Sequence, residues 1–187
     1  MSPPKELAVC VFCGARDGAS PVYGALAEEV GRRIARRGWT VVYGGGDVGL
    51  MGSLAGGALE AGGKVIGIIP RALLRQEQGK HEVTRLEVVE SMAVRKERMI
   101  AISDAFVALP GGLGTLDELF EVLTLRQIGL HRKPVGILDH EGYFASLLAA
   151  IDTMADQGFV AREHIDHLIV MEAIEPLFDA LAAASAS

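Results

Sequence analysis

The segment that most clearly carries chemistry is a glycine loop in the second half of the chain. A short apolar run, residues 105–109, leads into Pro110, Gly111, Gly112, Leu113, Gly114, Thr115, Leu116, Asp117 and Glu118, and then into an amphipathic pattern. Glycines and a threonine at a strand-to-helix junction present backbone N–H groups and a hydroxyl, which suits a terminal phosphate. Gly114 is followed by Thr115 and not by lysine, so this is no Walker A loop, and γ-phosphoryl transfer is not the chemistry expected. Thr115 and Glu118 also spell T-x-x-E, a capping box that would serve only the helix start. Glu121 and Thr124 follow at three-residue steps and extend a polar flank. Leu116, Leu119, Phe120 and Leu123 are expected to face the core.

The preceding helical stretch supplies cations. Counted from Met92, Arg95, Lys96 and Met99 fall on one side at steps of three and four. Two charges therefore interrupt a stripe that should be buried. Buried cations without partners are costly, so a bound anion is one explanation. The other is that they snorkel to solvent or pair with Glu90 or Glu97. Arg98 sits further round.

A second glycine loop, Gly44, Gly45, Gly46, Asp47, Val48 and Gly49, lies between a strand and a helix and contains G-x-G-x-x-G. The dinucleotide fingerprint also needs an acidic residue at the end of the next strand. That strand ends Ile68, Ile69, Pro70, so a nicotinamide cofactor is disfavoured. Gly45 and Gly46 stand as candidate phosphate contacts, beside the plain alternative of a tight turn.

Other reactive side chains form weaker patterns. Cys10 and Cys13 read as C-x-x-C, but on a strand positions three apart point to opposite faces. Two buried thiols in a reducing compartment are expected, not a metal site or a disulfide. His164 and His167 have H-x-x-H spacing without a recognisable third ligand, and His81, His131 and His140 are expected to be solvated. The five lysines, Lys5, Lys64, Lys80, Lys96 and Lys133, carry no local signature of a Schiff base. Neither a metal nor an organic cofactor is expected.

These groups must be positioned by elements that the apolar pattern marks out. Candidate strands are 7–13, 40–43, 64–69, 105–109, 134–138 and 168–171, with 86–89 as an edge strand or connector. Helical stretches fall at 21–37, 50–61, 92–103, 115–128 and 143–157, with a last one after Ala173. Strands without alternation, separated by helices, predict an α/β fold: a single Rossmann-like, doubly wound parallel sheet with helices on both faces. One domain over 1–187 is expected, with 1–5 and 182–187 frayed.

With 18 basic and 24 acidic residues the net charge is −6, which argues against nucleic acid or an anionic membrane as partner. No run approaches the about 20 apolar residues of a spanning helix. Residues 1–6 do not resemble a signal peptide, and a cytoplasmic protein is expected.

The segments around Met92, Arg95 and Lys96 and from Pro110 to Glu118 together resemble the signature of the LOG family. These are cytokinin riboside 5′-monophosphate phosphoribohydrolases, a family long mislabelled as lysine decarboxylases. The resemblance covers nearly the whole chain, through Val11 to Gly14, Tyr43 to Gly46, Gly49 to Gly52, Val65 to Pro70, Gln127 to His131 and Lys133 to Gly136. It departs at Ala93 and Val94, where histidine and a polar residue are common, and at Ala15 and Arg16, which replace serines. It implies a Rossmann-like homodimer that acts on a nucleotide 5′-monophosphate and releases a free base and ribose 5-phosphate. Gly112, Leu113, Gly114, Thr115 and Thr124 would hold the phosphate, Arg95 and Lys96 would contact the nucleotide, and Glu77 would contact substrate. Glu118 and Glu121 are both candidates for the catalytic carboxylate, with Arg95 placed to stabilise the departing base. The competing expectation is a non-catalytic carrier of a nucleotide or pterin phosphate on the same fold.

Overall fold

The computed structural model describes residues 6–74 and 82–186. Seven strands form one sheet in which every pairing is parallel, in the order β4-β3-β2-β1-β5-β6-β7. Along the chain these are β1 (Ala8–Phe12), α1 (Pro21–Arg36), β2 (Thr40–Tyr43), α2 (Gly49–Glu60), β3 (Lys64–Pro70), β4 (Arg85–Val89), α3 (Met92–Ile102) and β5 (Ala105–Ala108). Then come α4 (Leu113–Gln127), β6 (Val135–Leu138), α5 (Ala145–Asp156), α6 (Arg162–Ile165), β7 (Leu168–Met171) and α7 (Ile174–Ser185). The strands expected from the apolar runs are all present, and 86–89 lies within β4, an edge strand paired with β3. Among the described residues no helix is long and apolar enough to cross a membrane.

The continuous apolar runs are explained by burial on both faces. Val9, Val11 and Cys13 face one core with Ile34 of α1, Leu54 of α2 and Phe178 of α7. Cys10 and Phe12 face the other with Met99 of α3, Leu119 of α4 and Phe144 just before α5. The two cysteines are therefore free, buried and on opposite sides of the sheet. Chain direction reverses its walk between β1 and β5, which are hydrogen-bonded neighbours though far apart in sequence. A crevice at the carboxyl ends of those two strands is the expected ligand position in such a sheet.

Caps set the helices that approach this crevice. Ser20 accepts from Val22 N at the start of α1, and Ser91 accepts from Val94 N at 3.2 Å at the start of α3. α1 and α2 touch through glycines. A Cβ on Gly31 would lie 2.0 Å from Leu54 O, and one on Gly57 would lie 2.1 Å from Glu28 O.

Several expectations change. α4 begins at Leu113 with Gly112 as N-cap and no side-chain cap, so Thr115 lies inside the first turn and the capping box does not form. The buried positions of α4 are Thr115, Leu119 and Val122, with Leu116 and Leu123 packed beside them, so Phe120 is not part of the buried stripe. His131 is half-buried and structural. Its Nε2 lies 2.9 Å from Val122 O, its Nδ1 accepts from Lys133 N at 3.2 Å, and its ring packs on Phe106. Burial lowers its pKa, as fits a neutral imidazole with both nitrogens engaged. His140, also expected to be solvated, buries its Nε2. The C-terminal segment is helical to Ser185, whose Oγ donates to Leu181 O at 2.8 Å; good helix formers and the buried Leu181 hold it. Residues 1–5 lie outside the described residues, as do Arg75, Glu77, Lys80 and His81.

Gly31→Ala should cost about 1–3 kcal/mol, the range for overpacking, although alanine is the better helix former by about 1 kcal/mol. Urea unfolding checks this, and a more stable variant would show that the helices do not approach as closely as described.

Candidate active site

At the switch point lies a cavity of about 670 Å³. Its floor is the end of β1, with Val11, Cys13 and Gly14. One wall is the loop from β5 into α4, namely Pro110, Gly111, Gly112, Leu113, Gly114 and Thr115, with Glu118 one turn further on. The opposite wall is Gly44 after β2, Leu50 and Met51 of α2, and Met92 and Arg95 of α3.

The loop from β5 into α4 is held against the segment that follows β1. Gly14 N donates to Pro110 O at 3.2 Å, and Leu50 N donates to Gly14 O at 3.1 Å. Gly111 must lack a side chain, since a Cβ would lie 2.1 Å from Thr115 Oγ1 and 2.9 Å from Gly14 N. Gly112 and Gly114 have open space where a Cβ would be. With glycine at the N-cap, no side chain covers the first-turn amides of α4 from within. That leaves a helix N-terminus of the kind that attracts an anion.

Arg95 is only 5% exposed. Its Nε donates to Ile68 O at 3.1 Å and one terminal nitrogen donates to Gly44 O at 2.9 Å, while the other lies 3.6 Å from Met92 Sδ. The carbonyls at the ends of β2 and β3 thus fix the guanidinium on the cavity wall. Gly44 makes this possible, because a Cβ there would fall 1.9 Å from the Arg95 terminal nitrogen.

Glu118 and Arg95 both bear on the Cys13 thiol in the floor. Burial pushes that thiol well up from its usual range, the Glu118 carboxylate pushes it further, and Arg95 opposes. Cys10, behind the floor, is raised by burial first and by Glu118 next. A carboxylate and a guanidinium therefore act on one thiol with opposite sign.

Of the residues singled out from sequence, Arg95, Gly111, Gly112, Leu113, Gly114, Thr115 and Glu118 come together on the cavity. Glu121 does not line it. It sits with Lys96 and Glu118 around a smaller recess against Phe12 and Met99. Lys96 Nζ lies 2.5 Å from Glu121 and 3.0 Å from Asp117, so carboxylates on α4 occupy it, and the bond to Glu121 raises its pKa. Leu116 packs into the core, Asp117 is exposed, and Thr124 is exposed on α4 away from the cavity. In the second glycine loop Gly44 lines the wall, whereas Gly45 has φ +80 and packs against Ile68 and Ile69, and Gly46 is not on the wall. The tight-turn alternative describes Gly45. Arg98 pairs with Glu87 of β4 at 2.8 Å.

Sequence reasoning missed Tyr23, Tyr143, Arg16 and Met51, all of which line the cavity. Tyr143 follows β6, next to the switch point, and the rule that ligands sit at strand carboxyl ends would have pointed to it.

A family described as "Possible lysine decarboxylase" matches residues 51–181. The chain is 46% identical over 173 residues, 92% of its length and 87% of the relative's, to a cytokinin riboside 5′-monophosphate phosphoribohydrolase from Rhodococcoides fascians. It is 44% identical to the Arabidopsis thaliana phosphoribohydrolase LOG7, over 82% of this chain and 70% of that one.

The chain belongs to the LOG family.

Structural likeness extends further than sequence. A molybdenum cofactor binding protein from Rippkaea orientalis superposes with a TM-score of 0.73 at 23% identity, over 97% of this chain and 98% of that one. The molybdenum cofactor carrier protein from Chlamydomonas reinhardtii gives 0.72, also at 23%, over 98% and 100%. These two show the shared fold. The decarboxylase description implies pyridoxal phosphate on a lysine, and the described lysines do not fit it. None lines the cavity: Lys64 is near Glu6, Lys96 is held by Asp117 and Glu121, and Lys133 donates to Ile100 O at 2.6 Å.

A raised thiol pKa has a direct consequence. At pH 8 iodoacetamide should modify Cys10 and Cys13 in the folded LOG-family protein at least about 100-fold more slowly than in urea, because buried thiols carry almost no thiolate. Mass spectrometry reads the rate; rapid native labelling of Cys13 would show that its thiol is not buried as described.

Proposed function

We propose that this protein hydrolyses the N-glycosidic bond of cytokinin riboside 5′-monophosphates, and of AMP itself, releasing the free base and ribose 5-phosphate. The observation that carries the reading is one cavity in which an uncapped helix N-terminus, a carboxylate and a fixed guanidinium meet at the switch point. The relatives' shared activity supports it from outside the structure.

The chemistry divides naturally among these groups. Breaking the bond between ribose C1′ and the base nitrogen leaves the electron pair on the base and positive charge on the sugar. A carboxylate under the sugar stabilises that charge, as in glycoside hydrolysis. Glu118, on the cavity wall, takes this role in preference to Glu121, which Lys96 engages in the recess behind. Arg95 stabilises the departing base, and its bonds to Ile68 O and Gly44 O mean that little reorganisation is needed during the reaction. Water supplies hydroxide to C1′, and its proton ends on the base. The phosphate, held by the amides from Gly112 to Thr115, supplies binding energy remote from the bond that breaks.

Lys96, Glu121 and Asp117 then act by holding α3 against α4, not by touching substrate. A homodimer belongs to the same reading. Val94 on α3, Leu113 at the start of α4, and Ile128 and Leu130 after its end are large apolar side chains left exposed. A partner's residues would be the route by which positions off the cavity, such as Thr124, reach a nucleotide. The unpaired thiols support a reducing, cytoplasmic location, and the net charge of −6 argues against nucleic acid as a partner.

Incubation with AMP, isopentenyladenosine 5′-monophosphate and adenosine, with chromatography of the free base, tests the proposal. Both monophosphates should yield base, and adenosine should react at least about 100-fold less efficiently for want of the phosphate. Arg95→Ala and Glu118→Gln should each lower turnover at least about 100-fold, and Glu121→Gln less than about tenfold. Near-normal turnover in Glu118→Gln would return the catalytic role to Glu121. No base from any substrate would sink the hydrolase.

A further inference from the structure

The turn between β6 and α5 has no part in the mechanism above, yet its backbone is unusual. Within the short 3-10 turn His140–Gly142, Glu141 has φ +53 and Gly142 has φ +71. Glu141 is the one non-glycine with positive φ among the described residues. Such a conformation persists only where the surroundings over-determine it. Here Asp139 N donates to Met171 O at 2.8 Å, Asp139 Oδ1 accepts from Phe144 N at 2.7 Å, and Phe144 is fully buried.

What the turn accomplishes is the placement of Tyr143. Its ring lines the cavity and meets Tyr23 edge-on, with centroids 5.8 Å apart. Its hydroxyl donates to Gly111 O at 2.7 Å. Gly111 C=O and Gly112 N–H belong to one planar peptide and point in opposite directions. Holding the carbonyl therefore holds the N–H. The peptide joins two glycines, whose permissive dihedrals make its rotation sterically cheap. A rotated peptide would put a carbonyl oxygen where the N–H had been, facing any anion with like charge.

We propose that Tyr143 is the positioning residue of the anion loop: its hydroxyl holds the Gly111–Gly112 peptide in the orientation that keeps Gly112 N–H available to a phosphate. This rests on the nucleotide-monophosphate reading of the same cavity. The phosphate is the group it serves, so its influence is on monophosphates and not on nucleosides.

Tyr143→Phe keeps the ring and removes only the hydroxyl. Calorimetric titration of the full-length wild-type and variant proteins with AMP and with adenosine tests the proposal. The variant should bind AMP about three- to tenfold more weakly, the effect of one lost hydrogen bond, while its affinity for adenosine and its melting temperature stay at wild-type values. AMP affinity within twofold of wild type would overturn the inference. So would a proportional loss for adenosine, which would make the residue a wall of the cavity only. The two readings fail separately. A wild-type protein that binds AMP without releasing adenine sinks the hydrolase and leaves this comparison intact, whereas equal AMP affinities in an active enzyme sink only the role of the hydroxyl. No binding of AMP overturns both.

Discussion

A guanidinium almost wholly out of water sets the terms for this site. Burying a cation is expensive unless its donors are met, and Arg95 meets that demand with the carbonyls of Gly44 and Ile68, at the ends of adjacent strands. Gly44 follows the last residue of β2, and Ile68 is one position past Gly67, the β3 residue registered with Tyr43, so both lie just beyond the β2–β3 pairing. Their use by Arg95 fixes α3 relative to the sheet, and fixes which side of α3 looks at the cavity. Gly44 cannot then carry a side chain, and the second glycine loop turns immediately after it, at Gly45 with φ +80. One cation thus dictates the residue after β2, the seating of α3, and the charge facing whatever enters.

The other wall depends on contacts between backbones. β1 and β5 are neighbours only because the sheet reverses its order between them, and the loops that follow them lock together through Gly14 N and Pro110 O. Gly111 is squeezed between Gly14 and Thr115, so the start of α4 can approach the end of β1 to within a hydrogen bond. Glu118 follows one turn later and is carried to the cavity by that approach. The carboxylate's position is therefore a consequence of two glycines that themselves do no chemistry.

Much of this was legible in the sequence, for identifiable reasons. Strands buried on both faces announce themselves as unbroken apolar runs, and even the edge strand β4 stood out as a shorter one. The glycine loop before α4 was readable because its composition marks a backbone turning tightly into a helix, and Gly111 has no room for a Cβ. The flank of α4 was not. Three-residue spacing suggested that Thr115, Glu118, Glu121 and Thr124 share a face, but 3.6 residues per turn rotates that row steadily. Thr115 ends up buried, Glu118 on the cavity, Glu121 in the recess beyond, and Thr124 in solvent. Lys96 misled for a related reason, since its partners lie on a helix that local periodicity cannot place. Tyr143 and Tyr23 join the wall through tertiary approach alone. His131 looked like a loop residue because nothing local reveals that Val122 O and Lys133 N will converge on it.

The same scaffold occurs among molybdenum cofactor carriers, so the fold by itself does not select hydrolysis over carriage. The charges do. Both functions would use an open helix N-terminus for an anionic group. The same cavity is also lined by the Glu118 carboxylate and the Arg95 guanidinium, a pairing of charges that merely holding an anion does not require. In the proposed hydrolysis the carboxylate acts when positive charge develops on the sugar, which happens as a glycosidic bond opens and not while a nucleotide is merely held. Arg95 takes the complementary part in the same proposal, as a fixed cation for the negative charge that appears on the departing base. So assigned, the pair favours charge separation across the bond that breaks, which is the electrostatic pattern of a catalyst.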